Sequence, residues 1–206
     1  MDLKEGVAAL VGVCEHMARV HAIAGDPPLR RRPAGFKGIS RVIVGQQLSV
    51  SSAAAIWGRL EAIVQPFSPA SFIALPVKKL RSAGLSAAKI ATLRGVAAAI
   101  ETGSLDLDGL AGAPEDEIHA TLTALKGIGP WTADIYILFC LARADAWSPG
   151  DLALQVAVKD ALALEARPDQ TLMTEVAEIW RPWRSVAARM LWSYYTVRRK
   201  PIEMPA

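Results

Sequence analysis

The residues between positions 125 and 133 have the types and spacing to bind an anion through the backbone. They read LKGIGPWTA and lie between two stretches whose apolar residues recur at helical spacing. Gly127 and Gly129 allow a sharp bend that side chains would obstruct, and Pro130 suits the first turn of a following helix. The free amides of such a turn and the helix N-terminus face outward together, which favours a phosphate. An ordinary helix connection with a glycine cap is the plainer interpretation of the glycines alone.

Asp151 is a candidate catalytic acid that follows this turn by about twenty residues. It lies in the segment 147–154, which reads WSPGDLAL, and it begins an amphipathic helix. Because Asp is a favoured helix N-cap, its position at a helix start is explained by capping alone. Asp134 and Asp145 are the competing acids. Asp134 lies in the helix after the turn at residues 127–129, called the glycine turn below, and Asp145 lies in the loop before Asp151.

The 125–133 string resembles the helix–hairpin–helix motif of the DNA-repair glycosylase superfamily. The resemblance implies that Gly127, Ile128, Gly129 and Thr132 bind a DNA phosphate without reading the base sequence. It also implies that Asp151 is the essential aspartate that follows the hairpin in that superfamily. An ionised carboxylate beside the sugar would stabilise the positive charge that develops as the N-glycosidic bond breaks. The capping and catalytic roles of Asp151 are compatible.

Trp131 stands where superfamily members that also cut the DNA backbone have a nucleophilic lysine. Lys126 precedes both glycines and is misplaced for that role. No Schiff-base nucleophile is therefore evident, and the sequence predicts base removal without lyase activity.

The sequence predicts no required cofactor. Two cysteines far apart and three histidines cannot supply an iron–sulfur cluster or a histidine-rich metal site. The superfamily resemblance implies one ion only, a Na⁺ or K⁺ held at the hairpin by the backbone carbonyls of Thr123, Leu125 and Ile128.

Two further strings narrow the resemblance. Residues 45–49 read GQQLS, similar to a signature of the 3-methyladenine DNA glycosylase II (AlkA-type) family, and residues 180–187, WRPWRSVA, resemble its C-terminal segment. The first string implies DNA contacts from Gln46, Gln47, Leu48 and Ser49.

A base flipped out of a duplex leaves a gap that an inserted side chain fills. Gln47 matches the usual wedge position and Leu48 has the more apolar shape, so the choice is open; a core position for Leu48 is the alternative.

The same resemblance implies a base pocket formed by Trp131, Ile135 and Trp183. Aromatic rings stack on an extruded, electron-poor base through cation–π attraction. Core packing is the alternative for both tryptophans. Ile135 occupies the position of the family's pocket tyrosine, and its neighbour Tyr136 would point elsewhere on a helix. The sequence therefore leaves the lesion preference open.

The elements that must position these residues are predicted to be helices. Hydrophobic residues make up 52% of the chain, and Ala and Leu are abundant while β-branched alternation is scarce. We expect an all-α, two-lobed helix–hairpin–helix glycosylase fold of roughly ten helices, with the active cleft between the lobes. One lobe comprises residues 34–145, and the other combines 1–33, including one helix over 3–23, with 146–206. The short N-terminal segment indicates a form without the β-rich domain of the bacterial prototype.

The predicted function is excision of alkylated bases, of the 3-methyladenine type, from duplex DNA in base excision repair. The alternatives are a glycosylase for oxidised or mismatched bases and a non-catalytic helix–hairpin–helix DNA-binding module. Double-stranded DNA with damaged bases is the expected partner, and the net charge of +3 permits that contact without showing it. We expect a monomer in the bacterial cytoplasm, associated with the nucleoid and not with a membrane.

Overall fold

The computed structural model describes residues 2–199, and that part of the chain is helical without strands. The prediction of an all-α fold is confirmed. The helices within these residues are α1 (Leu3–Val13), α2 (Glu15–Ala24), α3 (Gly35–Gly45), α4 (Val50–Ile63), α5 (Pro69–Ala74), α6 (Val77–Ser82), α7 (Ala87–Glu101), α8 (Leu107–Leu110), α9 (Glu115–Thr123), α10 (Pro130–Phe139), α11 (Leu152–Ala161), α12 (Gln170–Ala177) and α13 (Arg184–Arg199). A 3₁₀ turn, Glu178–Trp180, lies between α12 and α13.

The helices group into two compact units. The first combines the chain up to Arg30 with the described residues from Ala142 onward, and the second is Arg31–Leu141. In the first unit, α13 packs against α2, α11 and α1. In the second, α3 packs against α4, α7 and α10, and α9 packs against α10. The unit from Arg31 to Leu141 thus carries the glycine turn, and the other carries Asp151.

The N-terminal segment forms two helices, so the prediction of one helix over 3–23 is wrong. Cys14 has extended backbone angles and is buried between α1 and α2. The break lets both helices reach α13. At Gly6, a Cβ atom would come within 2.7 Å of Val186 and 2.8 Å of Trp183, so the glycine permits close packing of α1 on the start of α13.

Candidate functional site

The turn between α9 and α10 has a backbone that strongly favours glycine at its sharpest point. Gly127 has a φ of +88°, and a Cβ atom there would lie 2.0 Å from the hydroxyl oxygen of Thr92. Gly129 precedes α10 as its N-cap, and a Cβ atom there would meet no atom within 4 Å. Pro130 is the first residue of α10. The open space at Gly129, and its position at the positive N-terminal end of α10, make this turn suited to an anion.

Gln46 joins the GQQLS turn to the glycine turn. Its side-chain Nε2 donates to the carbonyl of Gly127 at 3.2 Å and to the hydroxyl of Thr132 at 2.8 Å. Two of the predicted DNA-binding motifs, 81 positions apart, are therefore in direct contact. These two hydrogen bonds also explain why Gln46 is half-buried whereas Gln47 is exposed.

Lys89 stabilises the start of the GQQLS turn through two hydrogen bonds, and the sequence did not identify this residue as part of the site. Its ammonium donates to the carbonyls of Val44 at 2.7 Å and Gln46 at 2.9 Å, at the C-terminal end of α3. A positive charge is favourable there because the helix carbonyls carry partial negative charge. Burial lowers the pKa of Lys89 from its usual value. Nothing in the neighbouring sequence marks this lysine, which lies over forty positions from both carbonyls.

The tip of the GQQLS turn exposes both candidate wedge residues. Gln47 has a φ of +54°, and 39% of the Leu48 surface is exposed. A core position for Leu48 is therefore wrong. Ser49 ends the turn as the N-cap of α4, where its hydroxyl accepts from the amide of Ser52 at 3.2 Å. Both side chains at the tip can reach an approaching ligand, so the choice of wedge stays open.

Asp151 is the N-cap of α11 and is half-buried. Its Oδ1 accepts from the backbone amide of Leu154 at 2.9 Å and from the indole Nε1 of Trp192 at 3.1 Å. Asp151 therefore caps α11, as its position at a helix start predicts. The indole bond goes beyond capping, and it orients the carboxylate with a donor from a different helix.

The two competing acids have structural partners. Asp145 forms ion pairs with Arg181 and with Arg184, whose Nε and Nη2 lie 3.0 and 2.9 Å from its two oxygens. Asp134 is buried on α10, with its carboxylate 3.4 Å from Nε2 of His119 on α9. Asp151 remains the candidate for catalysis.

Comparison with known proteins identifies the family. A model of "HhH-GPD superfamily base excision DNA repair protein" matches residues 40–182, a span that contains the glycine turn and Asp151. The chain belongs to the HhH-GPD superfamily of base excision DNA repair proteins.

The relatives of this chain are named as DNA-repair enzymes, two of them as 3-methyladenine DNA glycosylases or glycosidases. The Schizosaccharomyces pombe 3-methyladenine DNA glycosylase, solved in complex with abasic DNA, superposes with a TM-score of 0.85 at 27% identity, over 91% of this chain and 95% of that one. A Bacillus halodurans DNA-3-methyladenine glycosidase superposes with a TM-score of 0.78 at 34% identity, over 92% and 88%. The Mycobacterium tuberculosis probable bifunctional transcriptional activator/DNA repair enzyme AlkA is 30% identical over 94% of this chain, which spans only 40% of that longer protein.

The predicted pocket residues of this HhH-GPD chain lie on α10 and just before α13. Trp131 and Ile135 lie one turn apart on α10, the first half-buried and the second 4% exposed. Trp183 is half-buried just before α13, and its ring packs on α1 at Gly6. Tyr136 faces the core, where its hydroxyl accepts from the amide of Gly35 at 2.9 Å and burial raises its pKa to about 12. Its role is to hold the start of α3.

The predicted ion-binding carbonyls lie at the C-terminal end of α9 and in the turn that follows. The carbonyl of Leu125 accepts from the amide of Ile128 at 3.1 Å, and the side chain of Ile128 is buried. Within residues 2–199 there is no group of three or more His, Cys, Asp or Glu side chains that could hold a metal ion. No helix in that part of the chain is long and apolar enough to span a membrane.

Replacing Gln46 with Ala should destabilise the unit that carries the glycine turn. Two hydrogen bonds are lost, and the free energy of unfolding should fall by about 1–2 kcal/mol. Urea unfolding measures this. Gln65→Ala is the matched control, since Gln65 bonds only a carbonyl of its own helix region, that of Glu61, and is exposed. Unchanged stability in Gln46→Ala would mean that the glutamine does not hold the turn.

Proposed function

We propose that this protein is a monofunctional DNA-3-methyladenine glycosylase of type II that hydrolyses the N-glycosidic bond of alkylated bases in duplex DNA. The observation that carries the proposal is the carboxylate of Asp151, oriented by two N–H donors at the start of α11. The names of the S. pombe and B. halodurans structures support the substrate class.

The proposed reaction breaks the bond between C1′ of the sugar and the base nitrogen. The base leaves with the bonding electron pair, and positive charge develops on the deoxyribose. The negative carboxylate of Asp151 stabilises that charge and orients a water molecule, which adds to C1′ and loses a proton. An alkylated base already carries positive charge, so it leaves without strong acid catalysis.

The proposed DNA contacts come from the unit Arg31–Leu141. The glycine turn, with Gly127, Ile128, Gly129 and Thr132, is proposed to bind a phosphate, and the amides of the two glycines are the proposed donors. The GQQLS turn inserts Gln47 or Leu48 into the gap that the flipped base leaves. Gln46 couples the two, because its side chain bonds both Gly127 and Thr132.

Absence of lyase activity is part of the proposal. Trp131 occupies the position of the nucleophilic lysine in bifunctional members of the superfamily, and an indole cannot form a Schiff base. Trp131, Ile135 and Trp183 are proposed to line the pocket for the extruded base, with the aromatic rings favouring a cationic one.

Base release from a panel of duplexes tests the proposal. The panel contains 3-methyladenine, 7-methylguanine, hypoxanthine, ethenoadenine, 8-oxoguanine and mismatched bases. Release of the alkylated bases, with no adduct trapped by borohydride, is expected. Release only from duplexes with oxidised or mismatched bases would show that those bases, and not alkylated ones, are the substrates. Tight binding to lesion DNA without any release would indicate a non-catalytic module, and a trapped adduct would show lyase chemistry.

We also propose that a Na⁺ or K⁺ ion binds the carbonyls of Thr123, Leu125 and Ile128. Neutral carbonyl oxygens suit a monovalent cation, and Thr123 is the last residue of α9, so its carbonyl has no partner within the helix. A carbonyl oxygen has two lone pairs, so that of Leu125 can bind the ion while it accepts from the amide of Ile128. The ion would hold the turn and add positive charge where a phosphate binds. Affinity for abasic duplex should be higher in K⁺ than in tetramethylammonium at equal ionic strength. Equal affinity in both salts would contradict the ion site.

A further inference from the structure

A cleft between α4 and α6 takes no part in the proposed catalytic and DNA-binding contacts. Its volume of about 510 Å³ is in the range of sites that hold organic groups, and it exceeds what a lone inorganic ion occupies. The lining lies within the unit Arg31–Leu141 and consists of three residues of α4, two of α6 and the residue after α6: Arg59, Ala62, Ile63, Lys79, Ser82 and Ala83.

The cationic side of the cleft is held by the turn that follows α6. Nε of Arg59 donates to the carbonyl of Ala83 at 3.0 Å. Gly84 has a φ of +103°, and a Cβ atom there would lie 2.9 Å from Nη2 of Arg59, so the glycine leaves room for the guanidinium. Within residues 2–199, the Nη groups of Arg59 and the ammonium of Lys79 have no hydrogen bond or ion pair. Both charges are therefore available to an anion.

The sequence around the cleft provides no acid to neutralise these charges. Between positions 62 and 100 there is no Asp or Glu, and the charged residues are Lys78, Lys79, Arg81, Lys89 and Arg94. Glu61 precedes that stretch, and its carboxylate pairs with Lys37 at 2.6 Å. The charge of the cleft thus favours an acidic occupant.

The rest of the lining is mostly apolar, which decides between kinds of acidic occupant. Ala62, Ile63 and Ala83 present only hydrocarbon to the cleft. Phosphates of a duplex would pair with the cations but would leave this recess unfilled. The cleft is also displaced from the proposed wedge, since Arg59 lies nine residues after Val50 and therefore about 14 Å along α4. A peptide that carries both carboxylates and a large apolar side chain matches both parts of the lining.

We propose that this cleft docks an acidic segment of a partner protein in which Asp or Glu residues adjoin a large apolar side chain. The carboxylates pair with Arg59 and Lys79, and the apolar side chain covers the recess at Ile63. Docking there would attach a second protein to the enzyme without using any proposed DNA contact. The inference goes beyond the proposed function and does not depend on the role of Asp151.

A fluorescein-labelled peptide, Asp-Asp-Asp-Leu-Phe, tests the proposal by fluorescence anisotropy with the full chain. The titration is made at about 0.15 M salt, where exposed charges more than about 8 Å apart are largely screened. Saturable binding is expected. The peptides Asn-Asn-Asn-Leu-Phe and Asp-Asp-Asp-Ser-Ser each keep one half of the chemistry and should bind at least about tenfold more weakly. No saturable binding up to about 1 mM, or equal binding of all three peptides, would overturn the proposal.

Two charge reversals on α6 show whether binding is confined to the cleft. Lys79→Glu places a like charge in the lining and should weaken binding of Asp-Asp-Asp-Leu-Phe by at least about tenfold. Arg81→Glu is the matched control, because two positions along a helix turn the side chain by about 200° and Arg81 does not line the cleft. Its affinity should stay within about twofold of wild type. Equal losses in both variants would mean that the peptide binds the general charge of the surface, contrary to the proposal.

Ala62→Glu tests the apolar recess in a second way. Ala62 is exposed near the end of α4, so the substitution should leave the melting temperature unchanged while it fills the recess and repels the peptide. Wild-type affinity for the peptide in Ala62→Glu would overturn the proposal.

An undamaged duplex distinguishes a peptide site from a DNA site. Lys79→Glu and Arg81→Glu should bind the duplex equally, and excess duplex should not displace the peptide from the wild-type protein. A loss of duplex binding confined to Lys79→Glu, together with displacement of the peptide, would assign the cleft to DNA and overturn the proposal. Peptide binding by a protein that releases no alkylated base would instead refute the proposed function alone.

Discussion

Asp151→Asn should reduce base release from alkylated duplex DNA by at least about 100- to 1,000-fold while leaving lesion binding intact. The substitution removes the negative charge that would stabilise the developing sugar cation. It keeps an oxygen that can accept from the amide of Leu154 and from Trp192, so the cap of α11 and the fold should persist. Single-turnover base release and the Kd for the same duplex measure the two effects separately.

Asp169→Asn is the matched control for this charge removal. Asp169 caps α12 and accepts from the amide of Leu172 at 2.9 Å, the length of the bond from Leu154 to Asp151. Both residues lie in the same unit. Asp169→Asn should have the wild-type rate and a similar melting temperature. Undiminished base release in Asp151→Asn would remove Asp151 from the mechanism.

Gly127→Ala should lower both the stability of the protein and its affinity for DNA. The new Cβ would lie 2.0 Å from Oγ1 of Thr92, and φ at this position is +88°. Positive φ alone costs a non-glycine residue about 1–3 kcal/mol, and the overlap adds to it. We expect the free energy of unfolding to fall by about 2–4 kcal/mol in urea titrations. Displacement of the turn should weaken binding to abasic duplex as well.

Two other glycines provide controls for this prediction. Gly95 lies inside α7, where a Cβ atom would meet nothing within 4 Å, so Gly95→Ala should be neutral or slightly stabilising. Gly129→Ala should also fold normally, since its Cβ position is open, yet it should weaken DNA binding if a phosphate docks there.

Thr92→Ala should rescue Gly127→Ala in part. It removes the hydroxyl and methyl that the new Cβ would meet and leaves the strain of positive φ. Equal stability of Gly127→Ala and Gly95→Ala would contradict the role assigned to the turn.

Features with a local cause could be predicted from the sequence. Gly127, Gly129 and Pro130 specify a turn and a helix start because each restricts or frees its own backbone angles. Asp151 could be placed at a helix N-terminus because capping depends on residues within one turn. The all-α class follows from composition and apolar periodicity, which are also local properties.

Features that depend on distant contacts could not be predicted. The break at Cys14 is not marked by a helix-stopping residue, and it is explained by the packing of α1 and α2 on α13. Lys89 and Gln46 each bond groups over forty positions away, and a lone lysine or glutamine has many solvated alternatives. Tyr136 could be excluded from the face of Ile135 by helix geometry, but only the structure shows that it holds Gly35.

The amino-acid sequence by itself determined which groups could do the chemistry: a turn that presents amides and an aspartate at a helix start. It left Asp134 and Asp145 as rivals of Asp151, since a carboxylate's role depends on what surrounds it. The tertiary structure supplied those surroundings, with His119 beside Asp134, two arginines on Asp145 and an indole N–H on Asp151. The partners come from distant parts of the chain, and only packing brings them close to these carboxylates.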